Sequence, residues 1–266
     1  MTTAIPTVGE QIREWRRRRR MSQLDLAVES EISSRHLSFL ETGRSRPSRE
    51  MVLRLADRLR VPLRDQNRML VAAGHAPVFP ERRLDDEALR TAREAVDLVL
   101  RGHEPYPALA VDRHWTMLAA NRAIPPLLAG VSPTLLEPPV NVLRLSLHPD
   151  GLAKRIANLS EWREHVLGRL RRDVESSADT KLFALFGELS ALSVPSSTPR
   201  DRSNPTAAAP VVPLRLRVGD RTLSLFSMTT VFGTPVDLTL SELAIESFFP
   251  ADAETAGVLR EICPSR

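Results

Sequence analysis

The chain has a single cysteine, Cys263, which excludes an internal disulfide and any zinc knot built on cysteine thiolates. Glycine is scarce, 11 residues in 266, and neither a G-x-G-x-x-G nor a Walker pattern occurs, so a glycine-rich phosphate cradle is excluded. No G-x-S-x-G nucleophile elbow is present. No apolar run approaches the roughly 18 residues of a membrane helix. The basic N-terminal stretch is not followed by the apolar segment of a secretory leader. A cytoplasmic protein that does not engage a membrane is expected. Lysine is nearly missing too: of 37 basic residues only Lys154 and Lys181 are lysines. Such an arginine bias follows genome composition as readily as binding chemistry and carries little weight.

What is present is enough for two domains, each with its own core, and 42% apolar residues mark a globular chain. Charge is unevenly spread. Residues 1–83 carry 17 Arg against 10 Asp/Glu, or +7; the remainder carries 20 Lys/Arg against 23 Asp/Glu, or −3. A basic third on a slightly acidic body suggests a nucleic-acid module joined to something else.

Five helices fit the first 75 residues. Thr7 and Glu10 form a capping box ahead of Val8, Ile12 and Trp15; Ser22 caps a second helix with Asp25 at the box position; Ser33 caps a third with Leu37 and Leu40 as its buried stripe. Pro47 and Ser48 open a fourth, and Pro62 a fifth that ends at Gly74. Residues 75–83, HAPVFPERR, read as a linker. Residues 84–266 form the second domain. It begins with a helix from Asp85 to Arg101, whose face of Ala88, Ala92, Ala95, Val96 and Val99 is a candidate dimer seam or equally packs on its own sheet. Strands are expected at Pro107–Asp112 and Trp115–Ala120, then helices across Gly151–Leu192 with a break near Ser176–Asp179. Residues 194–213 hold five prolines and read as a flexible loop. A hairpin about Gly219-Asp220 follows, then helices over residues 240–248 and 251–262. The fold class is therefore α+β and multidomain, an all-α bundle followed by a mixed domain.

Residues 22–48 have the layout of a helix-turn-helix, whose second helix enters the DNA major groove. That helix exposes Ser33, Ser34, Arg35 and Ser38; a guanidinium can bind guanine through two acceptors. Gln23 starts the preceding helix, where it can reach the backbone or a base at the groove edge. Thr42, Arg44 and Arg46 lie in a basic exit loop suited to phosphate. The bland alternative is a basic bundle whose arginines only solvate its faces. The coincidence of two capped helices, buried pairs and a basic exit favours double-stranded operator DNA.

The second domain shows little catalytic apparatus. His103, His114, His148 and His165 lack zinc-ligand spacing, and no metal or cofactor is expected. Asp112, Glu242 and Glu246 are the carboxylates an enzyme reading would rely on. Trp115, Met117, Phe183, Phe186, Phe226, Met228 and Phe232 are candidates to line an apolar pocket, with Ser224, Ser227, Thr229 and Thr230 placing hydroxyls among them.

With S-Q-x-x-L-A at Ser22–Ala27 and H-L-S-x-x-E-x-G-R at His36–Arg44, residues 7–74 resemble the XRE family of lambda-repressor-like helix-turn-helix domains. One departure is Glu31, which stands in the turn where many members have glycine. The segments PALAVDRHW (107–115), NVLRLSLHPDGL (141–152), NLSEWR (158–163) and FGTPVDLTLSELAIESFFPAD (232–252) resemble the MmyB-like ligand-binding domain. The resemblance covers nearly the whole chain. It implies a PAS-like second domain that takes a small apolar ligand of fatty-acid type, in a homodimeric transcriptional regulator and not an enzyme. A ligand-independent regulator, whose second domain only dimerises or binds a protein partner, is the alternative.

Overall fold

The computed structural model describes residues 6–177, 179–192, 211–233 and 235–264. Residues 194–210 of the expected flexible loop lie outside the described residues. Two compact units result: residues up to Arg82 together with Pro235–Ser241, and Arg83–Thr234 together with the chain from Glu242.

The first unit contains α1 (Val8–Arg18), α2 (Gln23–Glu29), α3 (Ser34–Glu41), α4 (Arg49–Arg58) and α5 (Leu63–Ala72). Four of them start where a hydroxyl satisfies an orphan backbone N–H. Thr7 and Ser22 form capping boxes with Glu10 and Asp25, while Ser33 and Ser48 accept from His36 and Met51 N–H. The apolar stripes meet in one core of Ile12, Trp15, Leu26, Leu37, Leu40, Val52, Leu55, Leu59 and Leu70. Each large aliphatic side chain so buried contributes about 1.5–3 kcal/mol. Gly9 lets α1 approach α3 closely, since a Cβ there would collide with the Leu40 carbonyl oxygen.

In the second unit α6 (Arg90–Gly102) follows a short 3-10 turn at Glu87–Leu89. Then come β1 (Ala108–Val111), β2 (Met117–Ala120), the short helices α7 (Ile124–Leu127), α8 (Pro133–Leu136) and α9 (Val142–Leu147), and the longer α10 (Leu159–Ser177) and α11 (Thr180–Ala191). The hairpin of β3 (Leu214–Val218) and β4 (Arg221–Val231) turns at Gly219, whose φ of 58° is one that glycine adopts without strain. The connection after β4 holds α12 (Leu238–Ser241), which belongs to the first unit. β5 (Ala244–Pro250) and α13 (Ala253–Ile262) complete the chain. All strand pairs are antiparallel, in the order β2-β1-β5-β4-β3. This is an α+β fold, with a curled sheet and helices as the PAS-like reading implies.

One expectation is corrected. Residues 244–250 are not helical but form the central strand, paired to β1 on one side and β4 on the other. Of the small-residue face of α6, Val96 packs with Leu100 on Ala108, Ala110, Leu243 and Ile245, while Ala88, Ala95 and Val99 are exposed. The opposite face of the sheet carries Leu109, Val111, Leu214, Leu216, Leu223 and Leu225 against the helices from α7 to α11.

Residues 235–241 complete the first unit. Leu238 is buried, α12 packs on α5, and Leu238 N–H donates to the Pro80 carbonyl at 2.9 Å. Arg82 pairs with the buried Asp237 at 2.9 Å, and the Thr239 hydroxyl donates to the Arg82 carbonyl.

Candidate nucleic-acid interface and ligand pocket

α2 and α3 are joined by Ser30, Glu31, Ile32 and the capping Ser33. Glu31 has a φ of 56°, so the turn has the left-handed geometry that glycine favours but is built with a glutamate. Ile32 N–H closes it onto the Ala27 carbonyl at 2.9 Å. α3 ends at Gly43, φ 73°, after which Arg44 N–H returns to the Phe39 carbonyl at 2.9 Å. The outer face presents Ser33, Ser34 and Arg35 exposed, Ser38 partly so, and Thr42, Arg44 and Arg46 exposed beyond the helix. The Arg35 and Arg44 guanidinium carbons lie 5.4 and 5.9 Å from the Phe39 ring centroid. The Thr42 hydroxyl donates to the Ser38 carbonyl at 2.7 Å, which leaves its lone pairs to accept.

Beneath this face sits Glu41, whose side chain is fully buried. It takes Arg16 through two bonds of 2.6 and 2.9 Å, and the Gln23 amide at 2.8 Å. Burial pushes its carboxyl up, but the Arg16 and Gln23 bonds and the charges of Arg16 and Arg13 outweigh that and hold it below the ordinary value. Gln23 is thus anchored through its nitrogen, with its carbonyl oxygen left for a partner. The arginine run ending α1 is largely structural: Arg16 serves Glu41, and Arg19 reaches the Leu59 and Arg60 carbonyls at 2.8 and 2.9 Å.

In the second unit two partly open spaces of about 70 Å³ each lie on the helix-covered side of the sheet. Leu109, Val142 and Phe248 line both, so they form a shared wall. The first space is bounded further by Trp115, Ser146, Trp162, His165, Arg169, Ser227 and Glu246; the second is wholly apolar, with Met117, Ile124, Leu127, Leu145 and Leu225 among its walls. Glu246 faces the core from the middle of β5, opposite Leu109 on β1 and Thr229 on β4. Arg169, from α10, meets it with bonds of 3.0 and 2.6 Å, donates to the Thr229 hydroxyl at 2.6 Å, and lies 4.5 Å from the Trp115 ring centroid. Trp115 in turn donates its indole N–H to Asp173 at 3.2 Å. Burial raises the Asp173 carboxyl, with the Trp115 bond and the Arg169 charge offsetting only part of it. Burial, then the Arg169 and Arg172 charges, lowers His165. Trp115 itself has a φ of 64°, a conformation a bulky residue holds only when its surroundings impose it. The Asp112 carboxylate, accepting from His114 and Thr116 N–H at 2.8 Å each, organises this turn.

The family model described as helix-turn-helix matches residues 12–66, and the one described as MmyB-like transcription regulator ligand binding domain matches residues 92–262. The chain belongs to the MmyB-like helix-turn-helix regulators. A curated relative, the uncharacterized HTH-type transcriptional regulator RghRB of Bacillus subtilis (strain 168), is 38% identical over 102 residues, which span 37% of this chain and 71% of the relative. The MmyB-like chain is accordingly a transcriptional regulator with a DNA-binding and a ligand-binding-type domain, and not an enzyme. Among the described residues no helix is long and apolar enough to cross a membrane.

Of the seven candidate pocket residues in this MmyB-like domain, Trp115 lines the first space and Met117 the second. The other five do not line either. Phe183 and Met228 are exposed, Phe226 stacks on Phe249 at 5.5 Å, Phe186 lies under Arg171, and Phe232 packs with the α6 cluster. Among the hydroxyls, Ser227 lines the first space and Thr229 holds Arg169. Residues that aromatic content did not single out, Arg169, His165, Trp162 and Ser146, complete the walls. The available signal was Glu246, the one charged residue on the mostly apolar strand β5.

Proposed function

We propose that this MmyB-like regulator works in the cytoplasm as a homodimer, reads operator DNA with α3, and senses a small apolar ligand with a fatty-acid-type chain in the two adjoining spaces. The observation that carries the ligand reading is their arrangement: an all-apolar chamber beside one bearing a few convergent polar groups, which is how ligand sites combine burial with orientation. For DNA, Arg35, Ser34 and Ser38 are the base-reading set. Ser33, Thr42, Arg44, Arg46 and the Gln23 carbonyl serve the backbone or groove edge. The ligand acts by favouring one arrangement of the homodimer, which alters half-site spacing and so affinity.

Selection of bound DNA from a random pool tests the first half; a two-fold symmetric site is expected. Native mass spectrometry of the purified chain, before and after organic extraction, tests the second. Absence of any bound lipid, together with no binding of long-chain compounds, would favour a ligand-independent domain that dimerises or binds a protein.

A further inference from the structure

Helix α6 leaves one long face uncovered. Its residues Val96 and Leu100 turn onto Ala108, Ala110 and Ile245 of the sheet. On the far side Thr91, Ala95, Leu98 and Gly102 recur at steps of four, three and four, and all four are exposed. That is the a/d stripe of a heptad repeat, and the sheet occupies the opposite b and f positions. Leu98 is 69% exposed and Val99, beside it, 45%, so the stripe carries large apolar side chains as well as small ones. Ala95 and Gly102 leave room for a facing helix to approach closely and receive Leu98 as a knob.

The charges beside the stripe determine what covers it. Glu94 and Arg101 each directly precede an a position, so both take g positions. Arg101 is exposed and makes no carboxylate pair among the described residues; its Nε donates to the Asp97 carbonyl of its own helix at 3.2 Å. Glu94 meets Arg90 at 3.5 Å with its side chain 63% exposed. Between antiparallel helices g residues face g residues, whereas between parallel ones they face e residues. Layering Ala95 on Leu98 of a second copy, and Thr91 on its Gly102, sets Glu94 opposite that copy's Arg101. The two-fold axis repeats the match, so two opposite-charge pairs form at once. A parallel pairing would set Glu94 against Val99, where no charge answers it.

We propose that α6 is the homodimer seam of this regulator, packed antiparallel on α6 of a second copy, with Glu94–Arg101 pairs fixing its direction and register. This rests on the homodimer reading and names the surface that makes it.

The test is sedimentation equilibrium of the full chain over a concentration series, without DNA or added ligand, where the unaltered chain is expected to be dimeric. Leu98→Asp puts a carboxylate into the seam from a position exposed in the single copy, and should raise the dimer Kd about tenfold or more. Arg101→Glu brings like charges together at both ends of the seam and should weaken the dimer about tenfold. Glu94→Arg combined with Arg101→Glu restores opposite charges, and its Kd should return to within about threefold of the unaltered chain. A dimer that ignores Leu98→Asp overturns the seam and leaves the homodimer to another surface. No response to Arg101→Glu, or no recovery in the double variant, overturns the antiparallel register. An unaltered chain that stays monomeric throughout overturns both the seam and the homodimer. If Leu98→Asp does not fold, Arg101→Glu and its recovery decide the matter alone.

Discussion

Glu41 carries three polar partners on a fully buried side chain, and the helix-turn-helix depends on it for more than charge balance. It ties α1 to α3 through Arg16 and sets the Gln23 side chain at the start of α2. Glu41→Ala strands the Arg16 guanidinium and should destabilise the first unit by about 3–5 kcal/mol, measurable by denaturant unfolding. Its folded carboxyl titrates below its unfolded one. The stability it contributes is therefore complete above the ordinary glutamate range and lost as pH falls through the depressed value. Acid unfolding of the unaltered chain should show this loss, and Glu41→Gln should flatten it. The exposed arginines behave differently. Arg35→Ala should cost roughly 1–3 kcal/mol on the preferred operator and relax one base position. Arg44→Ala should weaken all sequences alike and reduce the salt slope by about one. Binding titrations over a salt series separate the two; an unchanged sequence preference in Arg35→Ala would mean that α3 does not read bases there.

The turn between α2 and α3 keeps a left-handed residue without glycine, so Glu31→Gly should stabilise the unit by about 0.5–1 kcal/mol with DNA affinity retained. Thermal unfolding gives the sign directly. This turn and its flanking helices were legible from residues alone, because caps such as Ser22, Ser33 and Ser48 are local signals written within four positions of the groups they satisfy. β5 was not legible for the opposite reason. Ile245, Phe248 and Phe249 recur at helical spacing after a segment, Leu238–Ser241, that does form a helical turn, and over so short a run a buried strand and a helix share one pattern. What decides it is pairing with β1 and β4, which lie far away in sequence. The polar chamber was hidden likewise. Aromatic and long apolar side chains drew attention to Phe183 and Met228, which ended on the surface, whereas the wall is set by Glu246 meeting Arg169 across 77 positions.

Net charge changes sign along the chain, from +7 over residues 1–83 to −3 over the rest, yet the two compact units do not divide the sequence so simply. The first is closed by residues 235–241, with Asp237 buried against Arg82 and capping Thr239 N–H at 2.9 Å. Asp237→Ala should weaken that closure by about 1–3 kcal/mol. In native-state hydrogen exchange the α5 amides should lose protection while those of β1 keep theirs. Equal loss in both would mean that the substitution acts on the whole chain.

That closure also has a schedule. The five helices leave the ribosome about 150 residues ahead of the segment that completes their unit. At typical synthesis rates this is a delay of roughly 8–30 s. For that interval the newborn helix-turn-helix has neither the α12 covering of α5 nor a carboxylate for Arg82. The first unit thus stays unfinished until residues 235–241 have followed it out of the ribosome.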